Sequence, residues 1–215
     1  MFNLKEFIES YNIPIKTVYD IGACVGAWTK SMRTVLPEAE FYLFEANANC
    51  ENSLQGERYY IEVLSSRKQE VTFYSNGGID TGESYYLENT LHYSNPMCTS
   101  VETVTLDDSV LAKNIPTPDF VKIDTQGSEL DIILGGQNSL KNTTFIQVEM
   151  PIINYNRGGA SFDSLTKVLS SKGFYAVGIL EHLYSDNYLV QADVLFMHKD
   201  KKELYVSETP YLILP

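Results

Sequence analysis

Short runs rich in β-branched and aromatic residues alternate along this chain with stretches of helical spacing. The runs that we interpret as main strands are Thr17–Ile21, Glu40–Glu45, Arg58–Leu64, Asp119–Asp124 and Phe145–Met150, followed by a strand pair at Phe174–Leu180 and Ala192–His198. The predicted helices are Ala27–Leu36, Asn47–Gln55, Ser128–Leu134 and Ser161–Lys172. This order predicts an α/β fold with a doubly wound, mostly parallel seven-stranded sheet that ends in one antiparallel strand. Ligands of such sheets bind at the carboxyl ends of the strands.

An insertion between the third and fourth main strands interrupts this alternation. Glu70–Tyr74 and Val101–Leu106 both alternate polar and apolar residues, and they predict an added hairpin or edge pair. Between them lies the polar segment Ser75–Ser100. A loop of that length is usually a functional lid or binding loop, or else disordered.

The balance of charge narrows the classes of function. The chain has 215 residues, with 16 Lys+Arg and 28 Asp+Glu, so its formal net charge is −12. This charge disfavours binding to nucleic-acid phosphates and to anionic membranes. Length and a hydrophobic content of 44% predict one globular domain over residues 1–215.

Two further features bear on the compartment. The apolar stretches are too short for a membrane span, and acidic residues come too early for a secretory signal, so we expect a soluble, cytoplasmic protein. The cysteines Cys24, Cys50 and Cys98 form no CxxC pair, which favours reduced thiols over a disulfide framework or a structural zinc site.

The first strand runs into the turn DIGACVGAWT at residues 20–29. A dinucleotide fingerprint would require GxGxxG, but Cys24 and Ala27 occupy the second and third glycine positions counted from Gly22. Asp20 and Glu45 end two strands that we expect to be adjacent, and two carboxylates there suit a cationic ligand with vicinal hydroxyls. The pair therefore favours S-adenosylmethionine over NAD, with a tight turn that binds no ligand as the alternative.

Longer segments carry a family resemblance. DIGACVGAWT, the FEAN after the second strand, DFVKIDTQGSELDIILGG at residues 119–136 and FIQVEM at residues 145–150 resemble the FkbM family of S-adenosylmethionine-dependent methyltransferases. The resemblance implies a Rossmann-like class I methyltransferase fold. It departs from the usual family pattern at Cys24, where asparagine is common, and at Ala46, where proline is common.

The resemblance also implies roles for individual residues. Asp20 and residues 22–26 would surround the methionine end of the cofactor, Glu45 would hold the ribose hydroxyls, Ala46 and Asn47 would lie near the adenosine, and Ser65 and Ser66 would flank the adenine. The full cofactor-binding set is Asp20, Ile21, Gly22, Ala23, Gly26, Ala27, Trp28, Thr29, Glu45, Ala46, Asn47, Ser65, Ser66 and Asp124.

Four residues are candidates for the chemistry. Asp124 and Glu149 end the fourth and fifth strands, where they could position an acceptor hydroxyl or take its proton. Lys122 shares a face of its strand with Asp124, and we weigh a catalytic role for it equally against that of a buried ion pair. His92, in the long loop, could be a base or an acceptor contact, although a loop histidine is more often merely solvated.

We assign no metal ligand. A divalent cation between Asp124 and Glu149 is possible but not favoured, because no third ligand is evident.

These observations predict an S-adenosylmethionine-dependent O-methyltransferase that acts on a hydroxyl of a sugar in a glycan or glycoside. The sugar and the O-methylation are implied by the resemblance, and loop tyrosines and amides such as Tyr85, Tyr155 and Asn156 suit a neutral polyhydroxylated acceptor. Two alternatives stay open: an NAD-dependent oxidoreductase, and a non-catalytic cofactor-binding module of a glycan assembly system.

Overall fold

The computed structural model of this chain describes residues 2–10, 13–79 and 81–204. In chain order the strands are β1 (Thr17–Ile21), β2 (Glu40–Glu45), β3 (Tyr59–Ile61), β4 (Val63–Ser65), β5 (Glu70–Ser75), β6 (Met97–Thr105), β7 (Phe120–Ile123), β8 (Phe145–Pro151), β9 (Phe174–Ser185) and β10 (Tyr188–His198). The α-helices are α1 (Leu4–Ser10), α2 (Ala27–Met32), α3 (Leu106–Lys113), α4 (Glu129–Gly135) and α5 (Phe162–Ser171), and 3-10 helices cover Ala48–Leu54 and Lys199–Leu204.

Within these ranges the main sheet has seven strands in the order β3-β2-β1-β7-β8-β10-β9. The pairs from β3 to β8 are parallel, whereas β10 is antiparallel to both β8 and β9. The predicted doubly wound, mostly parallel sheet with one antiparallel strand is therefore confirmed. Strand order reverses at β1, which pairs with β2 on one side and with β7 on the other, and ligands bind at such switch points.

Helices cover both faces of the sheet, as a doubly wound fold requires. One face buries Val18, Phe41, Phe120 and Phe145 in a cluster with Ile8 of α1 and Met32 of α2. The opposite face buries Tyr19, Phe44, Val121, Ile123 and Ile146 in a cluster with side chains of α3, α4 and α5. Because strands alternate their side chains, each central strand contributes to both clusters.

The predicted third strand is divided in the structure. Tyr59–Ile61 stays in the main sheet, but Val63–Ser65 joins a second sheet in the order β4-β6-β5, in which β5 and β6 are antiparallel. The chain changes sheet at Glu62, whose carboxylate accepts a hydrogen bond from Ser109 and pairs with Lys113. Both partners lie on α3, a helix that the alternation of Val101–Leu106 did not indicate. The added strand pair itself is confirmed.

Strand register also assembles a buried polar row on the face that packs against α2. Asp20 lies opposite Lys122, Lys122 opposite Gln147, and Glu149 opposite Asp193. Among the described residues, the side chains on this face nearer the other end of these strands are apolar, as at Val18, Phe120 and Phe145, so the polar row lies at the carboxyl-terminal edge of the parallel sheet. The fold thus concentrates charge where the switch point opens.

No described helix combines the length and the apolar character needed to cross a membrane.

The packing at Gly22 gives a test of the switch point. Gly22 has φ +80°, and a Cβ there would lie 1.8 Å from the carbonyl oxygen of Asp124. We expect Gly22→Ala to lower the free energy of unfolding by about 2–5 kcal/mol, the sum of about 1–2 for a left-handed alanine and about 1–3 for overpacking. Urea unfolding measures the loss.

Gly56 is the matched control, because its φ is +92° but no atom lies within 4 Å of the added Cβ. Gly56→Ala should cost only the backbone component. Equal losses of unfolding free energy in the two variants would show that close packing of Gly22 against Asp124 does not contribute to stability.

Candidate active site

A cavity of about 590 Å³ opens at the carboxyl ends of β1, β2 and β7. Its volume lies within the usual range of small-molecule sites. Its walls come from the turn after β1, the end of β2, the segment between β3 and β4, the long loop, and the segment after β7. The lining residues used below are Ile21, Gly22, Ala23, Cys24, Val25, Ala27, Trp28, Glu45, Ala46, Val63, Leu64, Tyr85, Lys122, Asp124, Gln126, Glu149, Tyr155 and Gln191.

The turn after β1 has three residues in left-handed backbone conformation: Gly22, Cys24 and Gly26. The amides of Gly22 and Ala23 both donate to the carbonyl of Phe44 on β2, at 2.9 and 3.2 Å. Glycine adopts this conformation readily and asparagine more readily than most other residues. The departure from the family pattern at Cys24, whose φ is +47°, therefore falls on a backbone position where asparagine would be better suited.

Glu45 fixes this turn to the end of β2. Its Oε2 accepts from the Cys24 amide at 2.6 Å and its Oε1 from the Asn47 amide at 2.7 Å. The side chain is buried, and this burial raises the pKa of Glu45. Each carboxylate oxygen can accept more than one hydrogen bond, so Glu45 retains capacity for ligand hydroxyls at the cavity wall.

Lys122 lies between two carboxylates. Its Nζ is 3.5 Å from Asp20 Oδ1 and 3.2 Å from Asp124 Oδ2. Burial opposes the charge of Lys122, but these two carboxylates outweigh it and raise the pKa of Lys122 above its ordinary value. Asp20 is in turn held by the hydroxyl of Thr29, which donates to Oδ2 at 2.7 Å. Lys122 thus has the geometry of a buried ion pair with Asp20 of β1 and Asp124 after β7, and its single charge offsets part of their negative charge.

The structure brings Asp124 and Glu149 together through an amide. Gln126 Nε2 donates to Asp124 Oδ1 at 3.1 Å and to Glu149 Oε2 at 2.9 Å. Gln126 itself has φ +55°, an uncommon conformation for a residue other than glycine. Burial, and then the negative charges of Asp124 and Glu129, raise the pKa of Glu149 well above its usual range.

Glu149 is also held from β10. Gln191 Nε2 donates to Glu149 Oε1, and Tyr155 donates to Gln191 Oε1 at 2.6 Å. The Tyr155 hydroxyl also lies 3.3 Å from Gln126 Oε1, so Gln126, Tyr155 and Gln191 together surround the carboxylate. Among the described residues Glu149 has no ion-pair partner, so amides rather than cations hold it in place.

Several predicted cofactor residues lie at the cavity wall, and others support it. Ile21, Gly22, Ala23, Ala27, Trp28, Glu45, Ala46 and Asp124 line the cavity. Asp20, Gly26, Thr29, Asn47, Ser65 and Ser66 are not among the lining residues. Thr29 contacts Asp20, and the Asn47 side chain caps the 3-10 helix by accepting from the Asn49 amide.

The predicted adenine-flanking serines lie beyond the wall because the third strand divides. Val63 and Leu64 line the cavity, whereas the Ser65 hydroxyl accepts from Tyr85 at 3.3 Å. Tyr85 and Tyr86 both donate to Asp131 of α4, so these two tyrosines fasten the long loop to the domain.

The structure does not bring His92 to the cavity. Its side chain is exposed, and its ring packs edge-on against Tyr93 with the centroids 5.3 Å apart. The loop does reach the site, but through Tyr85, Glu88 and neighbouring residues. The three-dimensional path of the loop, which the sequence pattern cannot specify, leaves the His92 side chain exposed although Thr90 lines the cavity.

Sequence reasoning missed Gln126, Gln191 and Asp193. Gln126 lies within the segment KIDTQGSE that carried the family resemblance, so a signal for it was present. Gln191 and Asp193 reach the site only because β10 inserts antiparallel beside β8, which places Asp193 opposite Glu149. Glu129 accepts from the amides of Thr125 and Gly127, so it closes the turn after β7.

Over the described ranges no group of three or more His, Cys, Asp or Glu side chains is arranged to hold a metal ion.

Asp193 gives a pH test of this polar row. Burial, and then the charge of Asp124, raise the pKa of Asp193 from 3.8 to about 6. Between pH 3.8 and about pH 6 the Asp193 carboxyl is protonated in the folded state but ionised in the unfolded state. The raised pKa therefore contributes stability that is fully present below pH 3.8 and is lost as the pH rises through about 6. We expect the wild-type free energy of unfolding to fall relative to that of Asp193→Asn from about pH 4 to pH 7.

Urea unfolding of both proteins across this range measures the effect. Asp163→Asn, at an exposed position on α5, controls for the loss of one carboxylate. Parallel stability curves for wild type and Asp193→Asn would contradict the raised pKa.

Two known proteins are similar to this chain in sequence. The 2-O-methyltransferase NoeI of Sinorhizobium fredii is 25% identical over 165 residues, which cover 67% of each chain. The hexuronic acid methyltransferase AglP of Haloferax volcanii is 27% identical over 162 residues, which cover 71% of this chain and 61% of that one. The alignments therefore span about two thirds of the length of these relatives.

A solved structure supports the fold. A fibrillarin pre-rRNA processing protein of Methanococcus jannaschii superposes with a TM-score of 0.50 at 10% identity, covering 86% of this chain and 66% of that one.

The family comparison bears on the activities that the sequence left open. Residues 20–175 match the methyltransferase FkbM domain, which favours a methyltransferase over a nicotinamide-dependent oxidoreductase. The match begins at Asp20 and includes Asp124 and Glu149, the two carboxylates that are candidates for the chemistry. Because it spans well over half of the chain, this protein belongs to the FkbM methyltransferase family.

Proposed function

We propose that this protein is an S-adenosylmethionine-dependent O-methyltransferase whose acceptor is a hydroxyl of a sugar in a glycan or glycoside. The observation that carries the proposal is the pairing of two sites in one cavity, the turn fixed by Glu45 and the amide-held carboxylate of Glu149. The names of the relatives NoeI and AglP support O-methylation and a carbohydrate acceptor.

The cofactor end of the cavity suits this donor. The turn at residues 22–25 brings backbone close to the cavity, and Glu45 offers carboxylate oxygens for a pair of ribose hydroxyls. Val63 and Leu64 would provide an apolar wall for the adenine. When bound, S-adenosylmethionine supplies a methyl group on a positively charged sulfur, and the carboxylate-rich wall favours a cationic donor electrostatically.

The acceptor end provides a place for a proton. A sugar hydroxyl must lose its proton during methylation, and Glu149 lies at the wall with a pKa raised by burial, which makes its carboxylate a stronger proton acceptor. Gln126 and Gln191 fix the orientation of the Glu149 carboxylate. Asp124, whose charge Lys122 compensates, would position the acceptor rather than take the proton.

The net charge of −12 supports partners other than nucleic acid, because phosphates would be repelled. The single domain over residues 1–215 and the cytoplasmic location remain predictions.

Replacing Glu45 tests the cofactor end. Glu45→Gln keeps the size of the side chain but loses its charge and one acceptor group, so we expect S-adenosylhomocysteine to bind about 10- to 100-fold more weakly, the range for one or two charge-assisted hydrogen bonds. Titration calorimetry measures the dissociation constant. Glu38→Gln, exposed before β2, is the control that should bind normally. Equal affinity in all three proteins would remove Glu45 from the site.

Replacing Glu149 tests the proton acceptor. In Glu149→Gln we expect methyl transfer to fall by about 10²–10⁴-fold, the usual contribution of a general base, while S-adenosylhomocysteine binding stays within a few-fold of wild type. Release of S-adenosylhomocysteine with a panel of sugar acceptors gives the rate. Unchanged turnover would show that another group takes the proton. No turnover by wild type with any sugar would favour the non-catalytic module.

A further inference from the structure

A second cavity of about 390 Å³ adjoins the first on the side of α2. The two share Ala27, Trp28, Lys122, Asp124, Glu149 and Gln191 as lining residues. The second cavity therefore shares with the first the carboxylate that we assign as proton acceptor, and residues 22–25 of the turn that we assign to the cofactor do not line it. A sugar with its reacting hydroxyl at Glu149 would place the rest of its ring here.

The walls of this cavity are strongly acidic. Its carboxylates come from Asp124, Glu149, Glu181 and Asp193. Strand register explains the concentration, because Asp193 on β10 lies opposite Glu149 on one side and opposite Glu181 on the other. Three adjacent strands thus present carboxylates in one row.

Positive charge does not balance this row. Lys122 is the cation among the described residues that line the cavity. Its Nζ already lies within 3.5 Å of the carboxylates of Asp20 and Asp124 and within 3.2 Å of the carbonyl oxygen of Gly22. An anionic group entering the cavity would meet like charges and no uncommitted cation.

The remaining lining groups suit a neutral ring. Trp28 offers an aromatic surface, and Ser31 and Gln191 offer hydrogen-bonding groups. Behind the wall, Gln147 Nε2 donates to Asp193 Oδ2 at 2.7 Å, while Gln147 Oε1 is buried with no hydrogen-bond partner among the described residues. Aromatic surface combined with surplus acceptors matches a ring that carries hydroxyl donors.

We propose that this second cavity is the acceptor subsite and that it selects sugar rings without an anionic group, against uronic acids. The proposal rests on the proposed function and specifies its substrate class. One relative is named a hexuronic acid methyltransferase. The acidic row predicts that this chain acts on a different class of sugar from the one in that name.

The experiment compares matched acceptors. Wild-type protein is assayed for S-adenosylhomocysteine release with pairs of nitrophenyl glycosides that differ only at C6, namely glucoside with glucuronide, galactoside with galacturonide and mannoside with mannuronide. We expect kcat/KM for the neutral member of the productive pair to exceed that for the uronide by about tenfold or more, as repulsion between partly screened charges implies.

A charge-removal variant locates the cause. In the double variant Glu181→Gln, Asp193→Asn the ratio of uronide to neutral kcat/KM should rise by about tenfold, because two of the repelling charges are gone. The control is the double variant Glu70→Gln, Glu102→Gln, which removes two exposed carboxylates from β5 and β6 in the second sheet. The control ratio should match that of wild type.

The outcomes separate the two proposals. Methylation of a uronide as fast as its neutral partner, or an equal change of ratio in both double variants, would overturn the charge selection while leaving sugar methylation intact. Methylation of no sugar in the panel would overturn the proposed acceptor itself, and the subsite with it.

Discussion

Lys122 carries a positive charge into the centre of the parallel sheet, where it needs neighbouring carboxylates to stabilise it. Asp20 from β1 and Asp124 from the end of β7 meet this requirement from the two strands that form the switch point. These ion pairs hold together the ends of β1 and β7, and the rest of the site is built around this edge of the sheet. The turn after β1, with Gly22 packed against Asp124, cannot move independently of the segment that leads to Gln126.

This arrangement gives the two acidic strand ends different environments. Asp124 has Lys122 beside it, whereas Glu149 is held by the amides of Gln126 and Gln191 and faces other negative charges. Two carboxylates of the same chemical type can take different roles when their surroundings differ, and burial among other carboxylates raises the pKa of Glu149. Asp193 on β10 and Glu181 on β9 add negative charge that no cation compensates among the described lining residues. In our proposal this negative charge selects among acceptors.

Much of this could be predicted from the sequence. The alternation of strands and helices predicts the doubly wound α/β fold. The segments at residues 20–29 and 119–136 indicate the family and the carboxylates at the strand ends. The helix α3 was missed, although Thr105, whose side chain accepts from the Asp108 amide, is an ordinary helix-start signal. The sequence predicts a continuous third strand, because nothing in Arg58–Leu64 marks Glu62 as the residue whose carboxylate contacts a helix distant in sequence.

The sequence by itself determined the doubly wound fold, the methyltransferase family and the acidic residues at the ends of the first strands, because these follow from local patterns of residue type. Only the tertiary structure decided that Val63 and Leu64 replace Ser65 and Ser66 at the wall, that His92 lies away from the site, and that Gln191 and Asp193 join it. Those outcomes depend on where each strand ends and on which strands pair with each other. A shift of one or two residues in register, which local sequence does not specify, would put different side chains at the cavity.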